Sequence, residues 1–274
     1  MDINRMVMNA HGRVFIQDNT GEDIHTQFGV ITAKNIDNAA DGDLITSANG
    51  EQLIVYTPSF IDRYKRIKRD AQIITFKDAG VILTTAGLGP ESVVAEAGAG
   101  SGAMTVLLAR HTKHVYTYDI SSHNLSVAKE NCKRFNLENI TYTEHDITKG
   151  LLHGPVDALL LDMPEPWKVL DKTEKLRVGS YIITYTPSAM QLQKVRTAAE
   201  ENGLMHVRTV EVTERHWMVR DQAVRPTSQN TAFTAFLCFF RYMGENYNDI
   251  KPQRKPRSTG EKLPSQEVMK QLFS

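Results

Sequence analysis

The 274-residue chain has little cysteine, no long apolar run and no excess of charge of either sign. Its two cysteines, Cys132 and Cys238, are too few for a disulfide framework, although the sequence leaves open whether they pair. No stretch approaches the roughly 18 apolar residues of a membrane helix, and residues 1–10 hold no apolar run typical of a signal peptide. We therefore expect a cytoplasmic globular protein with no membrane partner.

The charges balance, with 32 Lys plus Arg against 32 Asp plus Glu. Nucleic-acid-binding proteins often have a basic excess, so this balance argues mildly against that class. Two local basic clusters nevertheless stand out, one in the C-terminal tail at 251–257 and one formed by Arg63, Lys65, Arg66, Lys68 and Arg69. Each cluster fits a solvated surface or a phosphate-binding surface, and the sequence does not separate the two.

Residues 1–57 have the pattern of a small all-β domain. Asn49-Gly50 separates two apolar runs, 44–46 and 53–56, and a further apolar run occurs at 14–16. Asn-Gly between such runs predicts a hairpin, because both turn positions require positive φ. Pro58 then interrupts the strand pattern.

Residues 58–76 are predicted to form a basic linker helix. Ser59 with Asp62 in the next turn is typical of a helix start, and Phe60, Tyr64 and Ile67 fall near one side of it. The first basic cluster would lie on this helix, at the junction between two domains.

From 77 to 243, strand and helix patterns alternate. Strands are predicted at 93–97, 115–119, 140–144, 156–161 and 181–185, and helices at 77–87, 101–111 and 124–135. Ser188 and Gln191 predict a capping box for a further helix that Gly203 ends. This order predicts a mostly parallel, Rossmann-like α/β sheet. Two last strand-like segments, 206–213 and 231–242, predict an antiparallel finish, and 244–274 a mobile polar basic tail.

The segment from Glu96 to Gly102, with glycines at 98, 100 and 102, follows a predicted strand and opens a predicted helix. Glycines permit a tight turn and let a ligand approach the helix N-terminus. Such a turn fits an NAD site, a different nucleoside site or a purely structural loop. The third glycine comes one residue earlier than in the G-x-G-x-x-G fingerprint, which disfavours NAD.

Three carboxylates accompany this loop. Glu96 precedes the first glycine, Asp119 ends the next strand and can accept from ribose hydroxyls, and Asp146 follows the third strand and can meet an adenine amine. Three carboxylates without a phosphate-binding lysine favour a cationic nucleoside. S-adenosylmethionine has that chemistry and is the predicted cofactor.

A second acidic motif, Asp162-Met163-Pro164-Glu165-Pro166-Trp167, follows the fourth strand. Its two prolines stiffen the loop and remove backbone donors. Asp162 either caps a loop over a buried tryptophan or faces the methyl donor.

With this motif the chain resembles the tRNA (adenine-N1)-methyltransferases that act on the T-loop, over roughly residues 1–242. Further motifs that carry the resemblance are Thr57-Pro-Ser-Phe60, Gln72-Ile-Ile74, Lys77-Asp-Ala-Gly80, Val224-Arg-Pro226 and Thr234-Ala-Phe-Leu237. The resemblance implies an N-terminal β domain, a Rossmann-like class I methyltransferase domain and a homotetramer. It also implies methylation of tRNA at position 58, and in some archaeal members also at 57.

The glycine loop and the resemblance together assign a donor site. Its predicted residues are Glu96, Gly98, Gly100, Ser101, Gly102, Ala103, Met104, Asp119, Asn124, Asp146 and Asp162. Asp162 is also the predicted catalytic residue, accepting a hydrogen bond from the amine of a flipped-out adenine while N1 attacks the methyl group. Predicted tRNA contacts are Arg63, Arg66, Arg69, Thr75, Trp217 and Arg225, with Tyr185 as a further candidate for base stacking. No metal is implied.

Two positions depart from the family pattern. Thr75 stands where the family often has a tyrosine thought to help position the base, and Phe233 stands where it often has histidine. Two other functions remain as alternatives: a methyltransferase for a small molecule or a protein, and a non-catalytic tRNA-binding subunit. Donor binding would separate the second alternative from the enzymes.

Overall fold

A computed structural model describes residues 3–220, 223–228 and 233–250. The predicted mobile tail lies outside this part of the chain from residue 251 onward, as does the start of the predicted strand 231–242. In the described ranges, no helix is long and apolar enough to cross a membrane. Cys132 and Cys238 are both free and buried.

The elements of the N-terminal part are β1 (Ile3–Asn9), β2 (Val14–Asp18), β3 (Ile24–Thr26), β4 (Gly29–Ile31), α1 (Ala33–Asp37), β5 (Leu44–Thr46) and β6 (Gln52–Tyr56). Four of the strands form an antiparallel sheet in the order β2-β1-β6-β5, and β3 and β4 form a separate two-stranded ribbon. The sheet has its own small core, which includes Val7, Ile36 and Leu53. An all-β part at the N-terminus is thus confirmed, with one short helix added.

The predicted hairpin between β5 and β6 is present, but its turn differs from the expected two-residue form. Ser47 N–H donates to Glu51 O at 2.9 Å, and Gly50 N–H donates to Ser47 O at 3.0 Å. Gly50 has φ +86°, whereas Asn49 keeps a negative φ. The longer loop needs one left-handed residue rather than two.

The predicted basic helix is wrong in its length. Helix α2 (Phe60–Tyr64) has a capping box between Ser59 and Asp62 and ends at Lys65. Arg66, Lys68 and Arg69 therefore lie in the irregular segment that follows. Three apolar side chains of residues 58–76, Tyr64, Ile67 and Ile74, pack in the core of the larger sheet, and this packing overrides helix continuation.

The second part is a seven-stranded sheet. Its strands are β7 (Val93–Ala97), β8 (His114–Asp119), β9 (Ile140–Glu144), β10 (Val156–Leu161), β11 (Leu176–Thr186), β12 (Met205–Val210) and β15 (Phe236–Arg241). Their order in the sheet is β12-β15-β11-β10-β7-β8-β9. The pairs among β7 to β11 are parallel, whereas β15 runs antiparallel to both β11 and β12. The Rossmann-like α/β fold with an antiparallel finish is confirmed.

Helices cover both faces of this sheet. They are α3 (Phe76–Thr85), α4 (Ala103–His111), α5 (Ser122–Lys133) and α6 (Ala189–Glu201), and a short α7 (Tyr247–Ile250) follows β15. Because side chains alternate along a strand, Leu160 and Ile183 pack with α3 and α4, whereas Leu159 and Ile182 pack with α6.

The predicted capping box of α6 is half formed. Ser188 Oγ accepts from Gln191 N–H at 3.2 Å, but Gln191 Nε2 donates to Pro164 O at 3.0 Å instead of capping the helix. The helix start is thereby attached to the Asp162–Trp167 loop. The chain between β12 and β15 forms a hairpin of β13 (Trp217–Arg220) and β14 (Ala223–Pro226), which no sequence pattern predicted.

Candidate active site

The strand ends bring the two acidic motifs together. In the sheet, Ala97 lies opposite Leu161, and Leu161 lies opposite Thr184. The residues that follow, Gly98, Asp162 and Tyr185, are therefore neighbours at the carboxyl edge, and Asp162 N–H donates to Ala97 O at 2.9 Å. This edge is where open α/β sheets bind ligands.

The glycine loop needs its glycines for two separate reasons. Gly98, Gly100 and Gly102 have φ of +93°, +50° and +74°, values that disfavour residues with a Cβ. A Cβ on Gly98 would lie 1.9 Å from Asp162 O, and one on Gly102 would lie 2.7 Å from Ala128 Cα in α5. The loop is thus closed against both the Asp162 loop and α5.

Ser101 connects the glycine loop to the irregular segment after α2, which contains Arg66, Lys68 and Arg69 and is called the basic segment below. Its Oγ accepts from the N–H groups of Asp70 and Ala71 at 3.0 and 3.1 Å. Asn131 Nδ2 reinforces this junction by donating to Ser101 O at 2.8 Å and to Lys68 O at 2.9 Å. The side chain of Ser101 is therefore a structural link in the loop, and the basic segment ends beside it.

Asp119 is buried and holds the loop from the other side. Its carboxylate accepts from Gly100 N–H at 3.0 Å, from Ser121 N–H at 2.9 Å and, more distantly, from Asn124 Nδ2 at 3.2 and 3.3 Å. Ile120, which is absent from the predicted donor site, follows it and is 75% exposed. An apolar side chain exposed beside an acidic strand end is a signal that could have identified this residue.

Glu96 lies beneath the loop. Its Oε2 accepts from Thr105 Oγ1 at 2.6 Å and Thr117 Oγ1 at 3.0 Å. Burial raises the pKa of this carboxyl to about 8, although the two hydroxyls oppose the shift. Glu96 is thus mainly neutral at pH 7, and its contribution to a cation site is smaller than the sequence suggests.

Asp162 differs from the other carboxylates of the site. Burial raises the pKa of its carboxyl to about 7, and no residue in the described part of the chain donates a hydrogen bond to that carboxyl. An acceptor left without a protein partner at a ligand-binding edge is available to a ligand.

Ala103, Met104 and Asp146 also belong to the predicted donor site. Ala103 and Met104 are buried in the core, so they can reach a ligand only through the backbone at the start of α4. Asp146 follows β9, next to β8, and accepts from Thr148 N–H and Oγ1 at 3.1 and 2.7 Å. The Thr148 hydroxyl lowers the pKa of Asp146, which keeps this carboxylate charged.

The predicted tRNA contacts fall in four places. Arg63 and Arg66, with Arg134, line a cleft of about 160 Å³ between the N-terminal sheet and α5. Trp217, 54% exposed and near Arg215, lies with Arg225 on the β13–β14 hairpin, so its ring does not pack in the core. The other members of the set lie elsewhere: Arg69 in the linker segment and Thr75 at the start of α3.

Sequence reasoning missed one buried polar cluster beside Asp162. Lys77 and Asp78 form an ion pair under Tyr185, although in the sequence they are only part of one motif of the resemblance. The signal available was an adjacent acid and base at a helix start. Among the described residues, no group of three or more His, Cys, Asp or Glu side chains is placed to hold a metal ion.

Comparison with known proteins gives consistent matches. Residues 54–240 match the family described as tRNA methyltransferase complex GCD14 subunit. The tRNA (adenine(57)-N(1)/adenine(58)-N(1))-methyltransferase TrmI of Methanocaldococcus jannaschii is 26% identical, with 86% of this chain and 94% of that protein covered. The tRNA (adenine(58)-N(1))-methyltransferase TrmI of Thermus thermophilus is 30% identical, with 86% and 95% covered.

A solved structure of similar fold carries a different acceptor in its name. The S-adenosylmethionine-dependent O-methyltransferase of Thermotoga maritima superposes with a TM-score of 0.82 at 26% identity. The match covers 89% of this chain and 94% of that one. The fold and the donor chemistry agree across these matches, and the acceptor is where their names diverge.

Proposed function

The chain belongs to the tRNA methyltransferase complex GCD14 subunit family, and from this premise we propose that it methylates N1 of adenine in the T-loop of tRNA. The proposed position is 58, with 57 as a second candidate, as in the name of the archaeal relative. The observation that carries the proposal is the Asp162 carboxylate, which has no donor from the described residues and lies between the glycine loop and Tyr185.

The residues around the glycine loop fit the donor. S-adenosylmethionine supplies a methyl group on a positively charged sulfur. Gly98 and Gly100 leave the loop backbone without side chains, and the start of α4 offers free N–H groups. A ribose hydroxyl can replace the long Asn124 contact on Asp119, and the exposed Ile120 offers an apolar surface to a purine ring. Asp146 remains the proposed partner of the adenine amine.

On the acceptor side, Asp162 orients the base and stabilises charge. Adenine N1 has a lone pair of its own, so no strong base is needed and positioning supplies much of the rate. Asp162 accepts a hydrogen bond from the exocyclic amine of the target adenine. As the ring becomes cationic, that bond strengthens, and the lower dielectric around a partly buried carboxylate increases its effect.

For the tRNA, we propose phosphate contacts by Arg63, Arg66 and Arg69, and further contacts by Thr75, Trp217 and Arg225. We also retain the division into a β domain at 1–57, a linker at 58–76, a methyltransferase domain at 77–243 and a tail at 244–274. Following the resemblance, the protein is proposed to act as a homotetramer in the cytoplasm.

A second enzyme function has a specific observation in its favour, the O-methyltransferase with a TM-score of 0.82. The same donor fold serves many acceptors, so this likeness does not select one. The family match and the two relatives named for tRNA favour the nucleic acid. The Asp162 carboxylate beside an intact glycine loop disfavours a non-catalytic subunit.

The direct test is nucleoside analysis of unmodified tRNA incubated with the protein and labelled donor. We expect 1-methyladenosine, mapped to position 58 or to 57 and 58. A transcript with A58 replaced by G serves as the control and should lose the label at that position. Label on another nucleoside, or on a small-molecule or protein acceptor alone, would refute the assignment.

Donor affinity is expected to rise between pH 6 and pH 8. The Asp162 carboxyl, with its pKa near 7, is mostly protonated at pH 6, and a cationic ligand favours its ionised form. Binding near pH 7 should therefore release protons, with Kd falling by up to about tenfold in total between pH 6 and pH 8 for one proton. Calorimetry in two buffers of different ionisation enthalpy measures this release.

The Asp162→Asn variant provides the control for that titration. It should lose the part of the pH dependence that Asp162 causes, while Glu96, with a pKa near 8, accounts for the remainder. Proton release that is unchanged in this variant would show that Asp162 is not near the donor.

A further inference from the structure

Lys77 and Asp78 form an ion pair in the first turn of α3. Lys77 Nζ lies 2.9 Å from Asp78 Oδ1, and the two side chains are 5% and 0% exposed. Removing two charges from water is unfavourable, and apolar replacements for such pairs are often neutral or stabilising. Stability alone therefore explains this pair poorly.

Helix capping does not explain the pair either. Thr75 is the N-cap of α3, but its side chain accepts no hydrogen bond from the helix backbone. Its Oγ1 instead donates to Asp78 Oδ2 at 2.9 Å. Both residues that could form a capping box are thus directed to each other and away from the helix N-terminus.

The pair connects three distant segments through hydroxyl groups. Asp78 Oδ2 also accepts from Thr234 Oγ1 at 2.7 Å and from Tyr185 OH at 3.2 Å. Lys77 Nζ donates to Thr234 Oγ1 at 2.7 Å. The start of α3, the end of β11 and the residue pair before β15 are therefore held at one point.

This polar cluster reaches the proposed catalytic residue, Asp162, through Tyr185. Tyr185 is next to Asp162 across the β10–β11 pair, and the Asp162 charge contributes to the raised pKa of Tyr185, after burial and Asp78. Thr234 directly follows Phe233, which is 46% exposed. The ring centroids of Phe233 and Phe236 are 4.9 Å apart. The cluster thus controls the placement of Tyr185 and of the segment that carries Phe233.

We propose that Lys77, Asp78 and Thr234 are positioning residues for the acceptor base, an inference that rests on the proposed function. Asp78 receives the only hydroxyl proton of Tyr185, which fixes the phenol beside Asp162. Lys77 compensates the charge of Asp78, and Thr234 joins both to the segment of Phe233. A displacement of about 1 Å at a reacting centre can cost 10²-fold in rate, so this anchoring acts on turnover.

The test compares Thr234→Val with Thr234→Ser. Valine keeps the shape of threonine but lacks the hydroxyl, whereas serine keeps the hydroxyl but lacks a methyl group. We expect the valine variant to lose about 10- to 100-fold in kcat. Its Tm should fall, because the buried Lys77 and Asp78 each lose a hydrogen-bond partner, but its KM for tRNA and its affinity for S-adenosylmethionine should stay near wild type. Thr234→Ser should keep kcat within about threefold.

A double-mutant cycle gives an independent readout that does not depend on one variant. If Thr234 acts through Tyr185, Tyr185→Phe combined with Thr234→Val should be little worse than Tyr185→Phe alone. Wild-type kcat in Thr234→Val, a loss in serine as large as in valine, or additive effects in the cycle would each overturn the inference. Wild-type protein in the same assay tests the proposed function separately: without tRNA methylation, both proposals fall.

Discussion

Replacing Asp162 with asparagine is expected to lower kcat for tRNA methylation by about 10²- to 10³-fold, the usual effect of removing one preorganised electrostatic group. Asparagine keeps the size and one acceptor oxygen, so the variant removes mainly the negative charge. That charge is what would stabilise the cationic ring of the product. Burial raises the pKa of this carboxyl to about 7, so the charge is largely present only above neutral pH, and the two proteins should be compared at about pH 8.

Single-turnover rates with saturating donor and tRNA measure this effect, and the melting temperature shows whether the variant folds. Asp171→Asn is a matched control, because Asp171 carries the same group at the surface beside Lys172. It should leave kcat unchanged. If Asp162→Asn turned over within about threefold of wild type while folded, Asp162 would have no catalytic role.

Replacing Gly98 with alanine is expected to affect both stability and activity. The new Cβ would lie 1.9 Å from the backbone oxygen of Asp162, so one of the two loops must move. Together with the positive φ, this should lower the free energy of unfolding by about 3 kcal/mol or more. The displaced Asp162 should reduce kcat by at least about 10²-fold in whatever protein remains folded.

Gly42→Ala separates backbone strain from the steric contact. Gly42 has φ +94°, nearly that of Gly98, but no atom lies within 4 Å of the position that a Cβ would take there. This variant should lose only about 1–3 kcal/mol and keep its kcat. Denaturant unfolding and calorimetric donor binding provide the comparison, and equal effects in the two alanine variants would contradict the role of the Gly98–Asp162 contact.

The strands of the large sheet could be predicted closely because burial on both faces leaves long apolar runs in the sequence. The runs at 93–97 and 156–161 match β7 and β10. The glycine loop and Asp162 were identified for a related reason. Parallel strands align their carboxyl ends, so residues that follow separate strands meet at one edge.

Local patterns failed where a tertiary contact competed with them. Ser59 and Asp62 start a helix as expected, but the packing of Ile67 and Ile74 in the core ends it after Tyr64. Gln191 was expected to cap α6 and instead reaches Pro164. In both cases the local pattern allowed a second arrangement of the same residues, and only the tertiary contacts selected it.

The sequence by itself determined the alternation of strands and helices from β7 to α6, the glycine turn and the acidic residues that follow the strands, because these depend on neighbours within a few positions. The tertiary structure decided which carboxylates are held by the protein and which is left for a ligand. Thr105 and Thr117 bind Glu96, backbone N–H groups bind Asp119, and only Asp162 lacks such donors among the described residues. The tertiary structure also formed the hydrogen bond between Lys77 and Thr234, which are 157 positions apart in the chain. Contacts at that separation form only when the sheet brings distant segments together.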